Sequence, residues 1–142
     1  MMSFRAKRIA REFIQALNDK DDDRAIDMLD PGIVYIDSRG VTVTGRDDVA
    51  ELIRRLSSIS GEYVQTIDEI SMRAGELLIS ARVDAVEEEF TGKVLIRMVL
   101  HLGKVAVYQS YRGNSPASMA MLLVPELARR GSEDGGSIPA RD

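Results

Sequence analysis

Four strand-like segments make up most of the second half of the chain, and short polar turns join them. The segments span residues 62–72, 76–86, 90–102 and 104–112. Short links of this kind favour an antiparallel meander. In the second segment, apolar residues recur at every second position, which predicts one buried strand face. The residues on that face are Leu77, Ile79, Ala81, Val83 and Ala85. The fold must therefore provide a partner layer for this sheet.

Amphipathic helices in the first half can cover the apolar face of the sheet. Helical spacing of apolar residues predicts a helix over 3–18, a short one over 23–30, and a third from a capping motif at Thr44 to residue 57. A β-branched strand, Ile33–Asp37, follows Pro31, which cannot continue a helix. A curved, mostly antiparallel sheet that wraps around N-terminal helices is an α+β fold.

The C-terminal part of the chain changes in composition. Residues 115–130 predict a last helix, interrupted at Pro125. From Gly131 the chain is rich in Ser, Gly and Pro and poor in apolar residues, which is typical of disorder. A chain of 142 residues is long enough for one core. We therefore predict a single domain over residues 1–130 and a disordered tail over 131–142.

Composition argues against several kinds of site. The net charge of −4 argues against nucleic-acid binding. The chain has no cysteine and a single histidine, His101, so we expect no thiol nucleophile, no metal site and no cofactor. No apolar run reaches the length of a membrane span, and the N-terminus lacks the apolar core of a signal peptide. We expect a cytoplasmic protein without membrane contact.

One carboxylate stands at the end of the apolar face of the first strand. Strand side chains alternate, so Asp37 shares a face with Ile33 and Tyr35. A carboxylate at the edge of an apolar pocket can move a proton near neutral pH. The same residue is also the first of Asp37-Ser38-Arg39-Gly40, a sequence that suits a type I turn. The two roles are compatible, and both stay open at this point.

The order and spacing of several short motifs resemble those of the SnoaL-like group of the NTF2-like superfamily, over residues 4–113. These motifs are the helix end Phe13–Asn18, the acidic link 19–23, Leu29-Asp30-Pro31, the strand Ile33–Asp37, Gly45–Val49, and the last strand after Gly103-Lys104-Val105. The resemblance implies a cone-shaped fold in which a curved sheet wraps a long helix and encloses an apolar pocket. It also implies frequent dimerisation across the outer sheet face.

Members of that superfamily include ketosteroid isomerase, polyketide cyclases, scytalone dehydratase and limonene epoxide hydrolase, as well as proteins without catalytic activity. The fold therefore does not fix the function. Compared with ketosteroid isomerase, Asp37 stands at the position of the proton-shuttling Asp. Phe13 and Met98 stand where that family has its oxyanion-binding Tyr and second Asp, so the usual oxyanion hole is missing here.

The resemblance predicts which residues form a site. Asp37 is the predicted acid/base, and Tyr108, on the same face of the last strand as Ser110 and Arg112, is the predicted donor in place of the missing oxyanion hole. Tyr35 is either a donor or a core residue, and Arg112 either holds a carboxylate or enolate or is a solvated strand end. The residues expected to line the pocket are Phe13, Leu17, Tyr35, Ile53, Val83, Met98, Leu100, Ser110 and Arg112.

Three functions remain open on the sequence. The first is a cofactor-independent proton-transfer enzyme, such as an isomerase, cyclase or lyase, that acts on a small apolar molecule. The alternatives are a non-catalytic protein that binds a hydrophobic ligand and a dimeric association module with a degenerate site. Arg82, Asp84, Arg97 and His101 are expected on the outer sheet face near Val99. Charged cross-strand pairs there suit a homodimer interface or plain solvent exposure.

Overall fold

The computed structural model describes residues 2–59, 62–113 and 117–130. Its helices are α1 Met2–Asn18, α2 Asp22–Asp27, α3 Arg46–Ser58 and α4 Met119–Leu123, with a 3₁₀ turn at Glu88–Phe90. Its strands are β1 Leu29–Ile36, β2 Val41–Thr44, β3 Tyr63–Arg73, β4 Glu76–Ala85, β5 Gly92–His101, β6 Lys104–Tyr111 and β7 Arg129–Arg130. Helices precede most of the sheet, so the predicted α+β class is confirmed.

All seven strands form a single curved sheet in the order β3-β4-β5-β6-β1-β2-β7. The β3-β4-β5-β6 part is the predicted antiparallel meander. The pairing of β1 with β6 is parallel. A register shift between Leu29 and Val34 accommodates Pro31 within β1, since proline cannot donate to the sheet.

The core lies between α1 and the concave face of the sheet. The predicted inward face of β4 is confirmed, because Leu77, Ile79, Ala81 and Val83 are at most 2% exposed. From α1, the fully covered side chains are Ala10, Phe13, Ile14 and Ala16, which recur at helical spacing. The long helix therefore supplies the partner layer that the strand pattern requires.

Asn18, at the end of α1, fixes the start of β3 against the helix. Its side-chain amide donates to the Gln65 carbonyl and accepts from the Gln65 amide, both at 2.8 Å. A register shift between Ile67 and Glu69 then bends β3. These contacts hold Gln65 with its side chain buried, on the concave side of the sheet.

The C-terminal segment differs from the sequence-based prediction. The helix predicted over 115–130 is limited to α4, and Arg129–Arg130 forms a strand that pairs with β2. Pro125 lacks an amide hydrogen and cannot join a longer helix. The short helix predicted over 23–30 ends at Asp27, because Leu29 already pairs with Val105 in the sheet. The tail predicted to be disordered, 131–142, lies outside the described residues, so the domain boundary stays a prediction.

Candidate functional site

An internal cavity of about 50 Å³ lies between α1, α3 and the concave face of the sheet. One water molecule needs roughly 10–15 Å³, and pockets for drug-sized ligands start near about 300 Å³. The cavity thus has room for a few water molecules and is well below the size of a drug-sized pocket. Its lining residues are Phe13, Leu17, Leu29, Ile33, Tyr35, Val49, Leu52, Ile53, Leu56, Tyr63, Gln65, Val94, Tyr108, Ser110, Arg112 and Met119.

The helices supply the apolar side of the cavity. Phe13 and Leu17 lie one turn apart on α1 and face α3 across the cavity. On α3, Val49, Leu52 and Ile53 recur at helical spacing and are at most 6% exposed. These side chains are hydrocarbon and offer no hydrogen bond. A polar group of a ligand must therefore face the sheet.

Two strands supply most of the polar side. Strand alternation directs Tyr63 and Gln65 inward from β3, and Tyr108 and Ser110 inward from β6. The Tyr108 hydroxyl donates to Oε1 of Gln65 at 3.2 Å, and the guanidinium of Arg112 donates to the Tyr63 hydroxyl at 3.0 Å. The strands β4 and β5 separate β3 from β6 in the sheet. Only strong curvature of the sheet brings these side chains together.

Aromatic rings fix the position of Tyr108. Its ring centre lies 5.8 Å from that of Phe13 and 6.0 Å from that of Tyr35, the latter pair being stacked. Packed on two sides and hydrogen-bonded at its hydroxyl, Tyr108 is held in one orientation. Its hydroxyl hydrogen is already donated to Gln65, so a ligand that accepts from Tyr108 must replace that hydrogen bond.

The tyrosines of the cavity remain protonated at neutral pH. Burial raises the pKa of Tyr35 and of Tyr108 well above the usual value for a tyrosine. Burial also raises the pKa of Tyr63, although the positive charge of Arg112 opposes this effect. All three hydroxyls can donate hydrogen bonds and none can serve as a base near pH 7.

Asp37 is buried, and hydrogen bonds engage both of its carboxylate oxygens. Oδ1 accepts from the amides of Arg39 and Val41 at 2.9 and 3.0 Å. Oδ2 accepts from the Ser118 hydroxyl and, at 3.1 Å, from the Ala120 amide. The turn predicted at Asp37 is present, since the Gly40 amide donates to the Asp37 carbonyl at 2.9 Å. The carboxylate therefore fastens the β1–β2 turn to α4.

Asp37 does not line the main cavity. It lines a hollow of about 10 Å³ whose other lining residues include Ser110, Arg112 and Met119, all three of which also line the main cavity. The predicted acid/base is thus next to the predicted binding residues, separated from the cavity by their side chains. Its catalytic role stays a prediction.

The structure brings most of the predicted site residues together. Those that line the cavity are Phe13, Leu17, Tyr35, Ile53, Tyr108, Ser110 and Arg112. Val83 and Met98 lie in the packed core at most 1% exposed, and Leu100 packs against that core without lining the cavity. Val83 and Met98 face inward but are covered by neighbouring side chains, and Leu100 is only partly buried. None of the three side chains borders the cavity. Their role in substrate binding stays a prediction.

Sequence reasoning missed part of the lining. Tyr63 and Gln65 are polar residues at inward positions of a strand, and this alternation was the signal that could have revealed them. Met119 reaches the cavity from α4, which lies within the predicted last helix, but helical spacing does not show which part of the sheet that helix contacts. Tyr63 and Gln65 belong to the polar side of the cavity, and Met119 adds to its apolar lining.

Across residues 2–59, 62–113 and 117–130, no group of three or more His, Asp or Glu side chains is placed to hold a metal ion. No helix in these ranges is both long and apolar enough to cross a membrane. The donors that the cavity offers are hydroxyl, amide and guanidinium groups.

Comparison with known structures identifies the fold. An epoxide hydrolase of the LEH-like type from M. tuberculosis superposes with a TM-score of 0.69 at 18% identity, covering 78% of this chain and 84% of its own. A proposed ketosteroid isomerase from Kribbella flavida gives 0.68 at 17% identity, covering 91% and 97%. A proposed polyketide cyclase from Sinorhizobium meliloti gives 0.65 at 16% identity, covering 72% and 93%. At these identities the likeness concerns the fold.

The curved seven-stranded sheet packed against α1 defines an NTF2-like α+β protein. The model of the SnoaL-like domain family matches residues 10–108, and the chain belongs to this family. The resemblance predicted from the sequence is confirmed. The structural neighbours of this chain include a proposed polyketide cyclase and a proposed ketosteroid isomerase, both from other organisms. Among curated protein sequences, none matches this chain.

Proposed function

We propose that the protein binds a small, largely apolar molecule in its internal cavity and orients one oxygen of that molecule at the polar end. The observation that carries this proposal is the division of the cavity into two sides. Helices α1 and α3 offer hydrocarbon, whereas Tyr108, Gln65 and Tyr63 form hydrogen-bonded groups on the opposite side. Apolar pockets with a few converging polar groups are typical ligand sites.

A cavity-filling substitution tests the proposal. Cyclohexanone, a compact ring with one carbonyl oxygen, serves as the probe. We expect it to shift the backbone amide resonances of Leu52, Tyr108 and Ser110, and we expect Val49→Phe to abolish these shifts. Val49 lines the cavity and is 4% exposed, so the larger ring must occupy the ligand's space. The measurement is a two-dimensional NMR titration of both proteins.

Val86→Phe is the matched control, because Val86 is 66% exposed and lies outside the cavity. This control variant should bind cyclohexanone as the wild type does. Over-packing by Val49→Phe costs about 1–3 kcal/mol in a filled core, so folding of both variants is checked by circular dichroism. If the wild type shows no shifts at lining residues, or if Val49→Phe binds unchanged, the cavity is not the binding site.

A proton-transfer enzyme is the second candidate. The observation in its favour is that Asp37 adjoins Ser110 and Arg112, which both line the cavity. The carboxylate would remove a proton next to a carbonyl, and the same carboxylate would return it. Tyr108 would turn its hydrogen bond from Gln65 to the enolate oxygen that forms in between. The test is exchange of the α-hydrogens of cyclohexanone for deuterium in heavy water, with Asp37→Asn as the comparison.

A homodimer through the outer sheet face is a further part of the proposal. Leu95 and Tyr111 are cross-strand neighbours on that face and are 43% and 46% exposed. We expect the wild type to be a dimer and Leu95→Lys to shift it toward the monomer, since a charge would replace apolar contact area. Light scattering during size-exclusion chromatography measures the mass.

Leu102→Lys is the control for the dimer, because Leu102 is 87% exposed in the β5–β6 turn, away from the centre of the sheet. This variant should remain dimeric. A monomeric wild type, or equal dissociation by both variants, would refute the interface. The cytoplasmic location expected from the sequence stays a prediction.

A further inference from the structure

Arg112 follows β6 directly and carries the only charge among the described side chains that line the cavity. All other lining residues are apolar or neutral. The side chain is half-buried, so water screens its charge less than at an open surface. A single cation at the wall of an apolar cavity needs an explanation, because partial loss of hydration costs free energy unless another group compensates.

The partners of Arg112 do not neutralise its charge. The guanidinium donates to the Phe90 carbonyl and, at 3.0 Å, to the Tyr63 hydroxyl. Both acceptors are neutral. Among the ion pairs of the described residues, none within 4.0 Å includes Arg112. A guanidinium has five N–H donors, so further donors remain for a ligand.

The two hydrogen bonds also orient the guanidinium. They tie Arg112 to the 3₁₀ turn on one side and to β3 on the other. The ring of Tyr63 packs edge-on against that of Phe90 at 6.2 Å, which fixes both acceptors. The positive charge acts on the cavity hydroxyls, since it opposes the burial that raises the pKa of Tyr63 and of Tyr108.

Among the described residues, Asp37 is the one carboxylate that shares a hollow with Arg112, yet it makes no ion pair with it within 4.0 Å. Four donors from the β1–β2 turn and from the region of α4 already occupy its oxygens. Charge-assisted hydrogen bonds of this kind are stronger than neutral ones, but they do not remove a carboxylate's negative charge. Asp37 therefore makes its direct contacts with other donors, and among the described residues no direct ion pair neutralises Arg112.

We propose that the ligand of this cavity is a small apolar carboxylate, with its hydrocarbon against α1 and α3 and its carboxylate on the guanidinium of Arg112. The inference rests on the proposed ligand-binding function and specifies the chemical class of the ligand. The planar fork of arginine matches a carboxylate with two parallel hydrogen bonds. The Tyr63 hydroxyl, which accepts from Arg112, is free to donate its own hydrogen to the same group.

Two probes of the same shape test the charge preference. Cyclohexanecarboxylate and cyclohexanecarboxamide differ at one position of the polar group and share the ring. At pH 7 we expect the wild type to bind the carboxylate at least tenfold more tightly than the amide, as measured by NMR titration. We expect Arg112→Gln to remove this preference, because binding of the carboxylate weakens at least tenfold more than binding of the amide. Arg112→Lys, which keeps the charge and loses the fork, should be intermediate.

Arg54→Gln is the matched control, because Arg54 is an exposed residue of α3 that pairs only loosely, at 3.7 Å, with Glu51. It should keep the full preference for the carboxylate. If the wild type binds the amide and cyclohexanone as tightly as the carboxylate, the inference is overturned and the proposed function stands. If none of the three probes shifts a lining residue, the proposed function itself fails. If Arg112→Gln does not fold, the comparison of carboxylate and amide binding by the wild type still tests the charge preference.

Discussion

Asp37→Ala is expected to lower the free energy of unfolding by about 3–5 kcal/mol, since a buried donor left without an acceptor costs about 1–3 kcal/mol. The variant removes the acceptor of four donors at once. The amides of Val41 and Ala120 are buried, and water cannot replace the carboxylate there. Urea unfolding, followed by circular dichroism, measures the loss.

Asp30→Ala provides the control on the same strand. The Asp30 carboxylate accepts one exposed hydrogen bond, from the Gly32 amide at 2.8 Å. Its loss should cost less than about 1 kcal/mol. Similar losses for Asp30→Ala and Asp37→Ala would show that the carboxylate of Asp37 does not fasten the turn to α4.

Asp37→Asn separates the structural role from the catalytic one. The amide keeps the size of the side chain and one acceptor oxygen, so we expect a smaller loss of stability than for alanine. If the wild type exchanges the α-hydrogens of cyclohexanone and the folded Asn variant does not, Asp37 is the base. If both exchange at the same rate, the carboxylate is structural only.

The contacts of Asp37 also show where sequence reasoning ends. The turn at Asp37–Gly40 is a local pattern, and the sequence predicts it. The donors Ser118 and Ala120 come from 81 and 83 residues further along the chain. No periodicity relates two segments at that distance, so their contact follows only from the folded topology.

Strand alternation and helical spacing predict most of the helices and strands of the fold. They place the inward face of β4, the stripe of α3, and the shared face of Tyr108, Ser110 and Arg112 in agreement with the structure. These are local properties, set by the periods of strand and helix. The class of fold and the inward direction of the polar residues Tyr108 and Ser110 on β6 could therefore be predicted from the sequence.

The curvature of the sheet and the volume of the cavity left between side chains could not be predicted from local patterns. The contact of Tyr108 with Gln65 depends on how far the sheet bends between β3 and β6. Met98 shares the inward direction of Tyr108, its cross-strand neighbour, yet it is fully covered. Whether an inward position borders a cavity depends on the summed volumes of side chains from several elements.

Phe13→Ala should lower the free energy of unfolding by about 3–5 kcal/mol, the usual cost of removing a large buried ring. Phe13 is 2% exposed and packs against the ring of Tyr108 at 5.8 Å between centres. Phe4→Ala on the same helix is the control, because Phe4 is 72% exposed and surface changes of this kind stay within about 0.5 kcal/mol.

The same substitution enlarges the cavity, because Phe13 is one of its lining residues. We therefore expect the ligand preference to move from cyclohexanone toward the larger ring of cyclooctanone, measured by NMR titration of wild type, Phe13→Ala and Phe4→Ala. A loss of stability without a change in ring preference would mean that the space left by Phe13 collapses. A shifted preference would identify Phe13 as the side chain that limits ligand size, since Tyr108 and Gln65 keep the oxygen end in place.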